Sequence, residues 1–198
     1  MKLDALRTTA LAATLALAPA AAFAKSDKAQ GPKDITSIVD VAVAANAEGA
    51  PFEGTFDTLI DLLLEDVANR GAILEALDTR GQKTVFAPTD AAFEALTETV
   101  LTLGYCSLAD LPAAAVDEVL LYHVAPGRRN SRAVLGSDEI ETLNGELLFQ
   151  DAGILTDAIG REAALIMGAI DIETDNGIIH AIDTVVLPFL PPPGPGGC

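Results

Sequence analysis

The chain has 198 residues, a length that suits one domain, and half of them are hydrophobic, so a substantial core can be buried. Aromatic residues make up 5% of the chain and tryptophan is absent, so this core must be built mainly from aliphatic side chains. Twenty-nine acidic and twelve basic residues give a net charge of −17, which excludes nucleic acid and anionic lipid as partners attracted by the overall field.

Residues 1–24 have the anatomy of a secretory signal peptide. Lys2 and Arg7 precede an Ala/Leu-rich run, and Ala22-Phe23-Ala24 supplies the small-x-small triplet after which cleavage is expected. A membrane anchor is disfavoured because Pro19 breaks the run, which is also short for a spanning helix. We therefore expect export to the periplasm, the cell surface or the medium, without stable membrane insertion after cleavage.

Both ends of the mature chain are expected to lie outside the folded domain. Residues 25–33 are polar and contain Gly31-Pro32, which predicts a disordered lead-in. Residues 189–198 form a Pro/Gly-rich tail that cannot adopt a helix or an interior strand. The domain itself is expected over residues 34–188.

Export also permits a disulfide between Cys106 and Cys198, the two cysteines of the chain. An even cysteine count in a secreted protein favours pairing, and such a bridge would attach the tail to the segment around Cys106. The alternatives are two free thiols or a dimer bridged through the tail.

The first half of the domain has the periodicity of amphipathic helices. Apolar residues recur at i, i+3, i+4, i+7 and i+8 within 35–43, ending at Val43, and similar stripes lie within 56–67 and 108–120. A short helix is expected over 71–77. Asp34 and Thr55 stand where the first two helices need N-caps. Each stripe has one apolar side, so these helices must pack against another layer.

The second half predicts a sheet built from hairpins. Asn144-Gly145, Gly160 and Asn176-Gly177 each separate two short segments of strand character. An earlier strand, Thr84–Ala87, is ended by Pro88. A helical half followed by a strand half is typical of the α+β class, with a mostly antiparallel sheet.

Three motifs carry a family resemblance. TVFAPTDAAFEAL joins the early strand to a helix that Thr89 or Asp90 caps, LLYHV follows the 108–120 helix, and DNGIIHAIDTVVLP contains the last hairpin. In this order and spacing they resemble the fasciclin domain, over nearly the whole mature chain. The resemblance implies a wedge of about seven strands packed against helices. It also implies adhesion or matrix interaction, with no catalytic centre common to the family.

The resemblance also indicates candidate binding residues. Tyr122 and His123 match a segment associated with integrin binding in some animal relatives, and Asp171-Ile172 matches the Asp-Ile pair of a second adhesion motif. The proline and glutamate that precede this pair in the animal motif are missing here. Because aliphatic neighbours surround Tyr122 and His123, a role in the core is favoured over contact with a receptor.

The two histidines are not spaced as metal ligands. In the strand Ile178–Asp183, alternation gives both faces apolar residues, so His180 is expected to be buried in a central strand and to need hydrogen-bond partners. No HxH or HxxxH spacing links it to His123, and we expect no metal and no cofactor. Asp171, Glu173 and Asp175 alternate as in a calcium loop, but the required Gly and Glu are absent, which favours a solvated strand edge.

Arg128, Arg129 and Arg132 form the one basic cluster. Such a patch in an acidic chain can dock a sulfate, a carboxylate or an acidic glycan. It can equally pair with the protein's own carboxylates, and this second interpretation is favoured because acidic partners are abundant.

Motifs typical of catalysis are absent: there is no G-x-S-x-G, no H-E-x-x-H and no phosphate-binding glycine loop. Together with the signal peptide, the resemblance to the fasciclin domain implies an exported, non-enzymatic protein that contacts a cell-surface or matrix protein or a glycan. One alternative is a module that binds a lipid or glycan, which requires a large apolar pocket. The other is a hydrolase with a cryptic site, which requires a perturbed carboxylate or His123 beside a nucleophile.

Overall fold

The computed structural model describes residues 37–64, 73, 77 and 81–196. These residues all belong to one compact unit that runs from Ile35 to Cys198. The predicted signal peptide (1–24) and lead-in (25–33) lie outside the described residues, so export and cleavage after Ala24 stay predictions.

The helices of the described residues lie in the first two thirds of the chain. They are α1 (Ile38–Asn46), α2 (Asp57–Leu64), α3 (Asp90–Thr102), α4 (Ala113–Tyr122) and α5 (Ser131–Leu135), with a 3-10 turn at Leu108–Asp110. The three apolar stripes correspond to α1, α2 and α4. The helix expected over 71–77 lies mostly outside the described residues, although Ile73 and Leu77 are buried. Where helices are described, none combines the length and apolarity needed to cross a membrane.

The strands form two four-stranded sheets. They are β1 (Lys83–Pro88), β2 (Val124–Pro126), β3 (Glu139–Glu141), β4 (Leu147–Asp151), β5 (Ile154–Thr156), β6 (Glu162–Ala164), β7 (Ile172–Thr174) and β8 (Gly177–Ile182). Sheet A has the order β2-β1-β8-β7, and sheet B has the order β3-β4-β5-β6. Five ladders are antiparallel and the β1–β8 ladder is parallel. This confirms the α+β class and the three predicted hairpins.

Two hydrophobic clusters lie on opposite sides of β1 and β8. Val85 and Ala87 of β1 belong to the cluster under the helices, whereas Phe86 belongs to the cluster that the inner side of sheet B covers. In β8, Ala181 and Ile182 divide in the same way. Every residue of both strands is buried, which explains their nearly continuous apolar sequence.

The helix N-termini use caps that the local sequence did not identify. The prediction of Asp34 as the cap of α1 is wrong, because Ser37 caps this helix in a reciprocal capping box with Asp40. Thr55 does not cap α2. Instead Oδ1 of Asn46 accepts hydrogen bonds from the amides of residues 55 and 56, and the Asp90 carboxylate accepts those of residues 57 and 58. The Asp90 side chain thus stabilises α2, while Thr89 takes the N-cap position of its own helix, α3, without a side-chain bond.

We expect the Asp90→Ala variant to lose about 1–2 kcal/mol of unfolding free energy, the range of a lost helix cap. The physical reason is that the amides of Asp57 and Thr58 lose the carboxylate they share. Urea denaturation measures the loss, and Glu94→Ala, an exposed change on the same α3 helix, is the control. Equal stability of the two variants would contradict this role for Asp90.

The Pro/Gly-rich tail packs against the domain over its described part, residues 189–196. It has no helix or strand there, as the composition predicts. However, its backbone is engaged: the Tyr105 hydroxyl donates to the Pro192 carbonyl at 2.9 Å, and the Gly194 amide donates to the Leu103 carbonyl at 2.7 Å. Cys106 is disulfide-bonded, but Cys198 lies outside the described residues, so the pairing of these two cysteines stays a prediction.

Candidate interaction surface

The structure brings together two groups of candidate contact residues that are distant in sequence. Arg128 donates through Nη1 to the Thr174 carbonyl at 2.8 Å, and its Nη2 lies 3.3 Å from Oε1 of Glu173. The Ser131 amide donates to Oδ1 of Asp171 at 2.7 Å, and the Ser131 hydroxyl donates to Oδ2. These hydrogen bonds and the ion pair therefore hold the loop after β2 against β7, which is an edge strand of sheet A. We call this surface, residues 128–132 with 171–175, the arginine-loop surface.

The buried side chain of His180 also forms hydrogen bonds with this loop and with Asp171. Its Nε2 lies 2.8 Å from the Arg129 carbonyl, and its Nδ1 accepts a hydrogen bond from the Asp171 amide at 3.2 Å. Because a carbonyl only accepts and an amide only donates, the ring carries its hydrogen on Nε2. Burial lowers the pKa of His180, while the hydrogen bond to the Arg129 carbonyl opposes this shift. A neutral imidazole thus joins the two segments, and the predicted burial in a central strand is confirmed.

Asp171 is held in a charged state by the loop. Burial acts to raise its pKa, but the hydrogen bonds from Ser131 outweigh this effect and leave the pKa below its ordinary value. Its backbone has φ of +57°, a conformation that few residues other than glycine adopt. Asp171 is exposed and its neighbour Ile172 is half-buried, so this pair lies at the surface. Whether the pair binds a partner stays a prediction.

The three arginines have different environments. Arg128 forms an ion pair with Glu173, in agreement with the expectation that this cluster pairs with the protein's own carboxylates. Arg129 is half-buried, and its amide donates to Oγ1 of Thr84 at 2.9 Å. Arg132 is exposed, and its guanidinium makes no hydrogen bond or ion pair with any part of the chain that the structure describes. Within the described residues the guanidinium of Arg129 likewise has no hydrogen bond or ion pair, so the side chains of Arg129 and Arg132 are the cations of this surface that are available to a partner.

An open groove of about 390 Å³ lies beside the loop, between Val41 and the residues Arg128 and 173–175. Glu173 and Asp175 are exposed there, at the edge of sheet A, in agreement with a solvated strand edge. Among the described residues, no group of three or more His, Cys, Asp or Glu side chains is placed to hold a metal ion.

Tyr122 does not reach the surface. Its side chain has no exposed area, its hydroxyl donates to the Leu147 carbonyl at 2.8 Å, and it accepts from the Ala158 amide at 3.0 Å. Burial raises the pKa of this phenol to about 12. The hydroxyl thus connects α4 to the first residue of β4 and to the turn between β5 and β6, which is a structural role.

His123 is also part of the core, with 4% of its surface exposed. Its Nδ1 lies 2.7 Å from the Val119 carbonyl, and its Nε2 accepts from the Val186 amide at 3.3 Å, so this ring carries its hydrogen on Nδ1. Burial lowers its pKa to about 4. Receptor contact through Tyr122 and His123 stays a prediction. Because both side chains are buried, neither offers accessible surface to a receptor.

The same contacts bear on the hydrolase alternative. Both nitrogens of His123 and of His180 are engaged by backbone groups, so neither ring has a nitrogen free to act as a base. Among the residues that the structure describes, no nucleophilic side chain forms a hydrogen bond with either ring. The two histidines therefore have structural contacts, which do not support the form of this alternative that uses His123.

Two apolar cavities lie in the helical half. One lies between α2, α3 and α4 and is closed on one side by Pro191 of the tail, and the other lies between α1, α2 and β1. Leu59, Leu120 and His123 line both. Each has a volume of about 40 Å³, whereas ligand pockets usually measure about 300–1,000 Å³. Neither of these apolar cavities is therefore the large apolar pocket that the small-ligand alternative requires.

No sequence pattern predicted a role for Ser131, although its amide and hydroxyl hold the Asp171 carboxylate in place. A local signal for the start of α5 was available, since Asn130 caps this helix by accepting from the Ala133 amide at 3.0 Å. Nothing local connects Ser131 to Asp171, which lies on another segment.

These features define an α+β domain with small apolar cavities and with surface segments that are held in place by side-chain contacts. The chain belongs to the fasciclin domain family, whose model matches residues 55–188. This confirms the family that the three motifs predicted.

Relatives of the chain include both human and bacterial proteins. It is 35% identical to periostin of Homo sapiens over 118 residues, which are 59% of this chain and 13% of periostin. It is 30% identical to protein sll1483 of Synechocystis, over 86% of this chain and 88% of that protein. It is 28% identical to the cell surface glycolipoprotein MPB83 of Mycobacterium bovis, over 80% of this chain and 66% of that protein.

A solved structure shares the fold. A FAS1 domain pair from the insect cell adhesion molecule Fasciclin I matches 76% of this chain and 50% of its own length, with a TM-score of 0.55 and 15% identity. At this level of identity the likeness concerns the fold alone.

Proposed function

We propose that the chain is an exported protein that adheres to a cell surface or matrix by binding a protein or a glycan, without catalysis. Membership of the fasciclin family supports this proposal. Further support comes from a related protein that is called a cell surface glycolipoprotein. The binding mechanism is surface complementarity, and it involves no metal or cofactor.

The observation that carries the proposal is the way the arginine-loop surface is built. Three separate contacts, from Arg128, Ser131 and His180, fix the loop and leave the guanidinium groups of Arg129 and Arg132 to a partner. Because the loop is already ordered, binding costs little conformational entropy. Guanidinium groups recognise carboxylates and sulfates through paired hydrogen bonds, so the expected partner group is an anion on a protein or an acidic glycan.

The proposal is tested by affinity capture of surface-labelled cell and matrix components on immobilised mature chain, residues 25–198. We expect the double variant Arg129→Gln/Arg132→Gln to retain about one tenth or less of the captured material, because charge-assisted hydrogen bonds are the strong ones. The control, Lys25→Gln/Lys28→Gln, changes the net charge equally and should capture normally.

The two ways of failing are distinct. If the wild-type chain captures nothing above an unrelated acidic protein, the adhesive function is wrong. If the wild type and both double variants capture equally, adhesion stands and the arginine-loop surface is not its contact.

A further inference from the structure

Sheet B has one face in the core and one face in solvent. Ile140, Leu148, Leu155 and Ala163, one from each strand, are completely buried on the inner face. The residues that alternate with them therefore lie on the outer face. In the described part of the chain no helix or loop is packed across these outward residues, since most of them are exposed.

The outer face has an apolar centre with acidic margins. The strand register forms one row from Glu139 through Phe149 and Thr156 to Glu162, so that a carboxylate lies at each end. A neighbouring row runs from Asp151 through Ile154 to Ala164. A third pairing sets Glu141 beside Leu147.

The two large apolar side chains at the centre are well exposed. Phe149 has 46% and Ile154 has 40% of its surface accessible. They lie on adjacent strands, on the same face and diagonal to each other, close enough for one partner to cover both. Single exposed apolar residues are ordinary, but an apolar centre surrounded by charged residues is how protein interfaces are organised.

Charge decides which partner fits. Residues 137–164 contain seven carboxylates and one arginine, Arg161, and none of the three rows contains a basic residue. A second copy of the chain would bring the same carboxylates and a net charge of −17 against this face. A basic partner would instead neutralise the margins while its apolar residues cover the centre.

We propose that the outer face of sheet B binds a basic protein or peptide segment. Its apolar side chains cover Phe149 and Ile154, and its Lys or Arg side chains meet Glu139, Glu141, Asp151 and Glu162. This goes beyond the adhesive function proposed above, because the surface is separate from the arginine-loop surface and selects the opposite charge.

The experiment uses the mature chain and a synthetic β-hairpin peptide with lysines at its margins and isoleucine and phenylalanine at its centre. Binding is followed by the amide resonances of the ¹⁵N-labelled chain as the peptide is added. We expect the largest shifts in β4 and β5, weaker binding at higher salt, and no binding of the same hairpin with glutamate in place of lysine.

Matched variants separate this face from general charge attraction. Phe149→Ser should weaken binding at least about fivefold, the loss of one covered side chain, whereas Leu101→Ser, 48% exposed on α3, should not. Glu139→Gln/Glu162→Gln should weaken binding and reduce its salt dependence, whereas Glu94→Gln/Glu98→Gln on α3 should change both less. If Phe149→Ser does not fold, Ile154→Ser replaces it.

Three results would overturn the inference: shifts centred outside sheet B, equal losses in the α3 control variants, or self-association in sedimentation that Phe149→Ser abolishes. The last result would make a second copy the occupant. Arg129→Gln/Arg132→Gln should leave peptide binding unchanged, so failure here is distinguishable from failure of the adhesive function.

Discussion

Replacing Gly177 with alanine is expected to lower the free energy of unfolding by about 3 kcal/mol or more, at the upper end for an overpacked site. A Cβ at this position would overlap the Lys83 carbonyl oxygen and would lie 2.7 Å from Cδ1 of Ile38. The carbonyl belongs to β1, which pairs with β8 over six residues and cannot move away without opening that ladder. The two central strands would therefore have to separate where both clusters depend on them.

Urea denaturation of the mature chain measures this loss. Gly168→Ala is the matched control, because its added Cβ meets no atom within 4 Å and its backbone needs no left-handed conformation. It should be within about 0.5 kcal/mol of the wild type, as for other surface changes. A Gly177→Ala variant as stable as Gly168→Ala would contradict the close approach of β1 and β8.

The need for glycine at position 177 could not be predicted from the neighbouring residues in the sequence. The Asn-Gly pair predicted a turn glycine, and a hairpin does join β7 to β8. However, Thr174 pairs with Gly177, so the turn residues are Asp175 and Asn176, and Gly177 is the first residue of β8. The glycine is required by Lys83 of β1, a neighbour that no local pattern identifies.

The repeating patterns of the chain were predictable, because they depend only on which residues face the core. The stripes gave α1, α2 and α4, and alternation predicted that His180 is buried. One position of the first stripe was wrong, since Val43 is 42% exposed. The hairpin between β4 and β5 was missed because its turn is Ala152-Gly153, and alanine is not typical of a turn residue with φ of +50°.

Contacts between distant segments were not predictable. The cap of α2 by Asp90 and the support of the arginine loop by His180 both depend on packing across the parallel β1–β8 pair and its neighbours. The sequence offered many carboxylates and could not indicate which helix each would reach. The abundance of acidic residues did predict carboxylate partners for the arginines, and Arg128 pairs with Glu173.

The second large effect is an acid-dependent loss of stability from His123. In the folded chain burial lowers its pKa to about 4, whereas in the unfolded chain the pKa is about 6.5. Between these values the unfolded state binds a proton that the folded state does not, so stability falls as the pH falls from about 6.5 to about 4. The full loss from this one group is about 3 kcal/mol.

Burial is the main cause of the lowered pKa, and protonation would also disturb a hydrogen bond of the ring. His123 accepts the Val186 amide hydrogen at Nε2, and a protonated ring would place a second hydrogen against that amide. The ring has no carboxylate among its hydrogen-bond partners to compensate for a buried positive charge. Protonation of His123 would therefore both place a positive charge in the core and break the hydrogen bond from the Val186 amide.

The measurement compares unfolding free energies of the wild type and of His123→Gln between pH 4 and pH 7.5. At pH 7.5 the variant should be less stable, because the Val119 and Val186 backbone groups lose well-placed partners. As the pH falls this difference should shrink by about 3 kcal/mol, since the variant has no group to protonate at this position. His180 and the carboxylates titrate in both proteins and cancel in the difference, so a gap that stays constant with pH would show that His123 is not held neutral.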